Sequence, residues 1–127
     1  MNREQFDNLF KSVSDFFGTL ANSDRVRILG LLIQYEELDV NDIHDKLHIS
    51  QSRVSQHLKL LKLNELVTER REGKHVFYSI KDERISNVLE SAFQFQMMKL
   101  NDTEIVMKIQ EIITILHATE LAGNENE

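Results

Sequence analysis

The apolar residues of this chain keep a helical spacing from Phe6 to Leu61, lose it between Leu66 and Ile80, and resume it as far as Leu116. This change of period restricts the fold to helices interrupted by one short β element, because a 3.6-residue stripe and an alternating strand cannot share a register. Phe6, Leu9, Phe10, Val13, Phe17 and Leu20 predict an amphipathic helix over 3–20. Ser23 is the expected N-cap of a second helix with Val26, Ile28, Leu29, Leu32 and Ile33 buried. Asp39 then caps a short helix over 40–47 that buries Val40, Ile43 and Leu47. Ser50 caps a fourth, running to about Leu63.

Leu66–Arg71 and His75–Ile80 follow, rich in β-branched and aromatic residues around the turn "EGK" with Gly73. They predict a hairpin with Val76, Tyr78 and Ile80 on one face and Phe77 and Ser79 on the other. Asp82 caps a helix through about Leu100, and Asn101 with Glu104 resembles a capping box opening a last helix. Ile105, Ile109, Ile112, Ile113 and Leu116 form its stripe. The absence of proline and only four glycines suit a mostly helical chain with few long loops. The expected fold is therefore mainly α with a small β-hairpin: helices 1–4, a two-stranded wing and two C-terminal helices, a winged helix-turn-helix. One domain is expected over 1–121, followed by a disordered tail at 122–127.

Charge singles out the middle of the chain. The net charge of −6 argues at first against a nucleic-acid partner. Residues 50–81, however, carry seven basic and three acidic side chains, whereas 1–49 carry five and nine and 82–127 carry three and nine. Within the basic island, "ISQSRVSQHLKLLK" at 49–62 contains no acid. On a helical wheel Val54, Leu58 and Leu61 form the buried side, while Gln51, Ser52, Ser55, Gln56 and Lys59 share an arc of roughly 140°. These side chains suit a major groove: glutamine pairs with adenine, serine donates or accepts, and lysine reaches guanine or phosphate. The free N–H groups at the helix start near Ser50 suit a phosphate. Arg53 and Lys62, at the flanks, suit the backbone. Arg70, Arg71, Lys74 and His75 concentrate at the hairpin turn, where a wing meets phosphates or the minor groove. A merely solvated polar face explains the helix alone less well once the basic hairpin is beside it.

"LANSDRVRILGLL" at 20–32, "ELDVNDIHDKLHISQSRVSQHLKLLKLNELV" at 37–67 and "RREGKHVFYSI" at 70–80 resemble the ArsR/SmtB family of bacterial repressors. The likeness runs from residue 16 to about 95, and its most recognisable parts are the Ser-Gln-Ser-x-x-Ser-x-His-Leu core, which includes His57, and the Gly-Lys-His-x-x-Tyr wing. It implies a homodimer whose terminal helices, 3–20 and 83–121, pack across a twofold. It also implies repression by covering an imperfect palindromic operator in double-stranded DNA, and release by an inducer.

Many members of that family sense metals, but the ligands are replaced here. "ELDVNDI" puts Asp39 and Asn41 where the family's helix cysteines stand, and the chain has no cysteine. After the wing only Asp82 of the second ligand set remains; Arg84, Phe95 and Met98 stand at the other positions. Two residual constellations, His44 with His48 beside Asp45 and His117 with Glu120 and Glu104, need a partner's ligand, and histidines near helix C-termini are favoured by the dipole anyway. No metal or other cofactor is expected, and a small-molecule or protein inducer is. Phe93, Phe95, Met97 and Met98 cluster just before the extra helix 102–121, where ordinary core and dimer packing outweighs a pocket for a small apolar inducer. The alternatives are a metal-responsive repressor with a non-standard His/Glu site and a winged-helix module for protein contact. The latter predicts an apolar or acidic face on 50–62. An enzyme is not expected: nucleophile turn, phosphate-binding glycine loop and metal dyad are all missing. The N-terminus has no signal-peptide pattern and the apolar run "ILGLLI" at 28–33 is too short for a bilayer, so the cytoplasm is the expected location.

Overall fold

A computed structural model describes residues 1–99 and 103–125, with side chains as far as Leu116. The order is α1 (Arg3–Leu20), α2 (Ser23–Tyr35), α3 (Val40–Leu47), α4 (Gln51–Leu63), β1 (Val67–Glu72), β2 (His75–Ile80), α5 (Glu83–Lys99) and α6 (Thr103–Glu125). This is the expected mainly helical winged helix-turn-helix. The chain divides into two compact units, Met1–Leu89 and Glu90–Glu127, with the boundary inside α5.

Local chemistry sets the helix starts. Asn2 and Gln5 form a reciprocal capping box on α1, and Asp39 and Asp42 form one on α3. Ser50 caps α4 by accepting the Arg53 amide at 3.2 Å, and Asp82 accepts the Arg84 amide at 2.9 Å where α5 begins. The cap of α2 is Asn22, not Ser23. Asn22 has extended backbone and its side chain accepts the Arg25 amide at 3.1 Å, so Ser23 is already helical. The expected capping residue Asn101 lies outside the described residues. Helix α6 continues to Glu125, past the expected end at 121, because glycine and asparagine weaken a helix without forbidding it.

In the first unit Ile28, Leu29 and Leu32 of α2, Ile43 of α3 and Val54, Leu58 and Leu61 of α4 form one buried cluster with Leu66 and Val67. The α5 residues Ile85 and Leu89 close it. Ile33, expected inside, is 40% exposed, since it sits one step round the helix from Leu32. The α1 stripe is a true helical face, yet Phe6, Phe10 and Phe17 are each more than half exposed.

The strands pair antiparallel from Val67 opposite Ile80 to Glu72 opposite His75, leaving Gly73 and Lys74 as the turn. Gly73 has φ of 60°, which a two-residue hairpin turn demands and glycine supplies without strain. Leu66, expected as the first strand residue, instead closes α4: its amide donates to the Leu61 carbonyl at 2.9 Å. A further bridge was not legible in the pattern. Leu38, just before α3, exchanges two backbone hydrogen bonds with Tyr78.

In the second unit, Ile105, Ile112, Ile115 and Leu116 of α6 are exposed while Val106 and Ile109 are half-buried. Gln94, Met97 and Met98 of α5 with Val106 and Gln110 of α6 line a cavity of about 360 Å³.

Candidate nucleic-acid interface

Every residue of the expected interface lies in the first unit, and α4 supplies most of them. Val54, Leu58 and Leu61 are fully buried, which fixes the rotation of α4 and turns Gln51, Ser52, Ser55, Gln56 and Lys59 to the surface together. No acidic residue stands in the first turn of α4, so the outward amides there face solvent with their helix dipole unopposed. Gln51 is held by a hydrogen bond from its Nε2 to Asn41 Oδ1 on α3, at 2.6 Å. Asn41 thus orients the first side chain of the exposed row, a role that no spacing rule points to.

The flanking residues behave differently. Arg53 reaches back to Asp24 at the start of α2, with Nη2 2.7 Å from Oδ2. His57 also turns that way: its Nε2 lies 3.8 Å from the same oxygen and its side chain is only 15% exposed. Arg27 Nη1 approaches the other Asp24 oxygen at 3.5 Å. Burial holds the His57 imidazole below the usual histidine range, and the Arg25 charge adds to this; Asp24 opposes, and Arg53 again lowers it. Asp24 does not prevail because burial of the ring and the Arg25 charge each outweigh it.

The unfolded chain binds the His57 proton more readily than the folded one, so stability is full above about pH 6.5 and falls as the pH drops below it. In urea titrations at pH 7.5 and 5.5, His57→Gln is expected to show a smaller loss between the two than the wild type.

The wing divides in the same manner. Lys74 stands at the turn, exposed, and among the described residues neither Lys74 nor Lys59 has an acidic partner. Lys62 pairs with Glu69 at 2.7 Å, which holds the Glu69 carboxyl below the usual range, and Arg71 approaches the same oxygen at 3.8 Å. His75 stacks on Phe77 with ring centres 6.0 Å apart. Arg70 is engaged by Glu37 and Glu72. Lys59 and Lys62 also border an open groove of about 510 Å³ at the end of α4, with Lys81 on its other side. The structure thus gathers Gln51, Ser52, Ser55, Gln56 and Lys59 on one face and Arg71, Lys74 and His75 at the wing end. It ties Arg53, Lys62 and Arg70 to acids that sequence spacing did not single out, and sets His57 3.8 Å from Asp24 and His75 3.9 Å from Asp39.

The family's metal positions do not fit a metal here. Asp39 is occupied in capping α3. Asp82 is gripped by Arg84, whose Nη2 lies 2.6 Å away and which holds the Asp82 carboxyl at about 2. The His44 ring binds the Ile49 carbonyl, and His48 ends α3 in the left-handed conformation. Among the described residues no three histidine or carboxylate side chains gather to hold an ion. The side chains of His117 and Glu120 lie outside the described residues. No described helix is long and apolar enough to cross a membrane.

Residues 22–69 match the family described as "Bacterial regulatory protein, arsR family". The cadmium resistance transcriptional regulatory protein CadC of Listeria innocua is 36% identical over 85 residues, 67% of this chain and 71% of that one. The transcriptional activator HlyU of Vibrio cholerae is 31% identical over 90 residues, 71% of this chain and 82% of its own. The solution structure of the homodimeric winged helix-turn-helix DNA-binding domain of Mb0332 from Mycobacterium bovis superposes with a TM-score of 0.72 at 27% identity, covering 80% of this chain and 93% of that domain. Fold, exposed face and relatives agree: the chain belongs to the arsR family of bacterial regulatory proteins, which are winged helix-turn-helix DNA-binding regulators and not enzymes.

Proposed function

We propose that this protein is a cytoplasmic, homodimeric repressor that covers an imperfect palindromic operator. Helix α4 reads bases with Gln51, Ser52, Ser55, Gln56 and Lys59, and the wing holds backbone phosphates with Arg71, Lys74 and His75. The observation that carries this reading is the exposed, acid-free face of α4 beside a cationic wing in an otherwise acidic chain. The dimer is supported by α1, where Phe6, Leu9, Phe10, Val13 and Phe17 make an exposed apolar stripe that a lone protomer leaves in water. One similar domain is itself described as homodimeric. Cadmium figures in the name of a relative, but Asp39 and Asp82 are engaged otherwise in this chain, which speaks against a metal at the family positions and for a small-molecule or protein inducer.

Two substitutions test the division of labour. Lys74→Ala weakens binding to all duplexes and lowers the slope of log affinity against log salt by about two, one for each protomer of the dimer. Gln51→Ala leaves that slope alone and blunts discrimination between operator and mismatched DNA by about 1–3 kcal/mol. Fluorescence anisotropy with both duplexes at several salt concentrations reads both effects. Unchanged relative affinities in Gln51→Ala would remove α4 as the base reader. Transcription in vitro from the bound promoter fixes the sign of regulation, since a rise in transcript on adding protein contradicts repression.

A further inference from the structure

We infer that Glu37, Leu38 and Asp39 form a strut that fixes the wing relative to the helix-turn-helix, and that Arg70 serves this strut instead of contacting DNA. The inference rests on the DNA-binding reading above and gives the reason that Arg70, expected at the DNA from the sequence, has no place in it. Three consecutive residues hold three points on the hairpin. Leu38 donates its amide to the Tyr78 carbonyl at 3.1 Å and accepts the Tyr78 amide at 2.8 Å, and it is 6% exposed. Glu37 takes Arg70 in a two-point grip, Nη2 to Oε1 at 2.6 Å and Nε to Oε2 at 3.1 Å. Asp39, which caps α3, lies 3.9 Å from Nδ1 of His75 near the turn.

The remaining Arg70 nitrogen, Nη1, donates to Glu72 at 2.8 Å, and the guanidinium lies 4.9 Å from the centre of the Phe77 ring. All three of its nitrogens are therefore engaged within the protein, and the Glu37 carboxyl is held below its usual range. Three of its five N–H groups are thus spent on two carboxylates, so a phosphate meets a guanidinium whose charge is already compensated within the protein. Lys74, by contrast, offers an uncommitted ammonium at the tip.

A two-stranded hairpin is marginal on its own, so its direction depends on what it is tied to. A wing pinned next to the start of α3 presents its cations at a set distance from α4. An untied wing must be ordered on binding, and that cost comes out of affinity. Exposed ion pairs contribute little to folding, so the effect belongs in binding more than in stability.

The sign of one substitution separates strut from phosphate contact. Glu37→Ala removes a negative charge near the DNA, so electrostatics alone predicts tighter binding. The strut predicts binding about fivefold weaker in the full-length protein. Arg70→Ala is expected to weaken binding similarly while leaving the salt slope unchanged, with Lys74→Ala as the control that lowers it. The exchange Glu37→Arg with Arg70→Glu keeps the net charge and is expected to restore part of the affinity lost in Glu37→Ala, because the pair re-forms reversed while the contact with Glu72 turns repulsive. Tighter binding by Glu37→Ala, or a slope lowered by about two in the Arg70→Ala dimer, overturns the strut and returns Arg70 to the phosphates. Hydrogen exchange of the Leu38 and Tyr78 amides tests the strut in the DNA-free protein. Faster exchange in Glu37→Ala supports it even if the wild type binds no duplex, an outcome that defeats the DNA reading alone; unchanged exchange there overturns the strut.

Discussion

Lys59→Glu lowers affinity for every duplex by about two orders of magnitude at 0.1 M salt, by losing a counterion-releasing contact and setting a carboxylate against phosphate. Lys59 is exposed on the row that α4 presents, and among the described residues no acid engages it. Its companions Gln51, Ser52, Ser55 and Gln56 are neutral, so the substitution reverses the charge of the row instead of diluting it. The fold is expected to be indifferent, because both residues are good helix formers and the site is open to water. Anisotropy titration reads the loss and an unchanged thermal transition verifies the fold. A loss smaller than about threefold means that this face of α4 does not enter a groove.

Leu58→Ala is the substitution with the largest expected effect on folding, about 3 kcal/mol in urea unfolding at fixed protein concentration. Leu58 is fully buried in the cluster that α2, α3 and α4 share, and its removal leaves a cavity that three packed helices close only in part. A loss of that size is a large share of the stability of a small domain. Leu63, on the same helix but 77% exposed, is the control: Leu63→Ala changes stability by no more than about 0.5 kcal/mol. Similar losses at both positions would mean that α4 is not packed in the orientation that exposes Gln51 and Lys59.

The features legible in the sequence are those that act over a few residues. Apolar spacing located the helices, side-chain chemistry located the caps at Asp39, Ser50 and Asp82, and alternation around Gly73 located the hairpin. Ser23 was the wrong cap because Asn22 and Ser23 both have cap chemistry and only backbone conformation separates them. Partners far apart in the chain were out of reach. Asp24 and Arg53 are 29 residues apart and Glu37 and Arg70 are 33 apart, and no period connects them. Counting cations therefore found the basic island but not which of its charges are spent internally. Lys59 and Lys74 look no different in sequence from Lys62, yet Lys62 is paired with Glu69. Leu38 was invisible for the same reason, since one bridging residue makes no alternation.

Base reading by α4 is decided by titrating the wild-type protein with its own upstream DNA and with a scrambled duplex, at several salt concentrations and with and without chelator. A metal-independent operator-binding dimer binds the native duplex tightly and the scrambled one more weakly, with affinity that falls steeply with salt and does not change on adding chelator. Failure to bind either duplex at any salt concentration would contradict it and favour a winged helix used for protein contact.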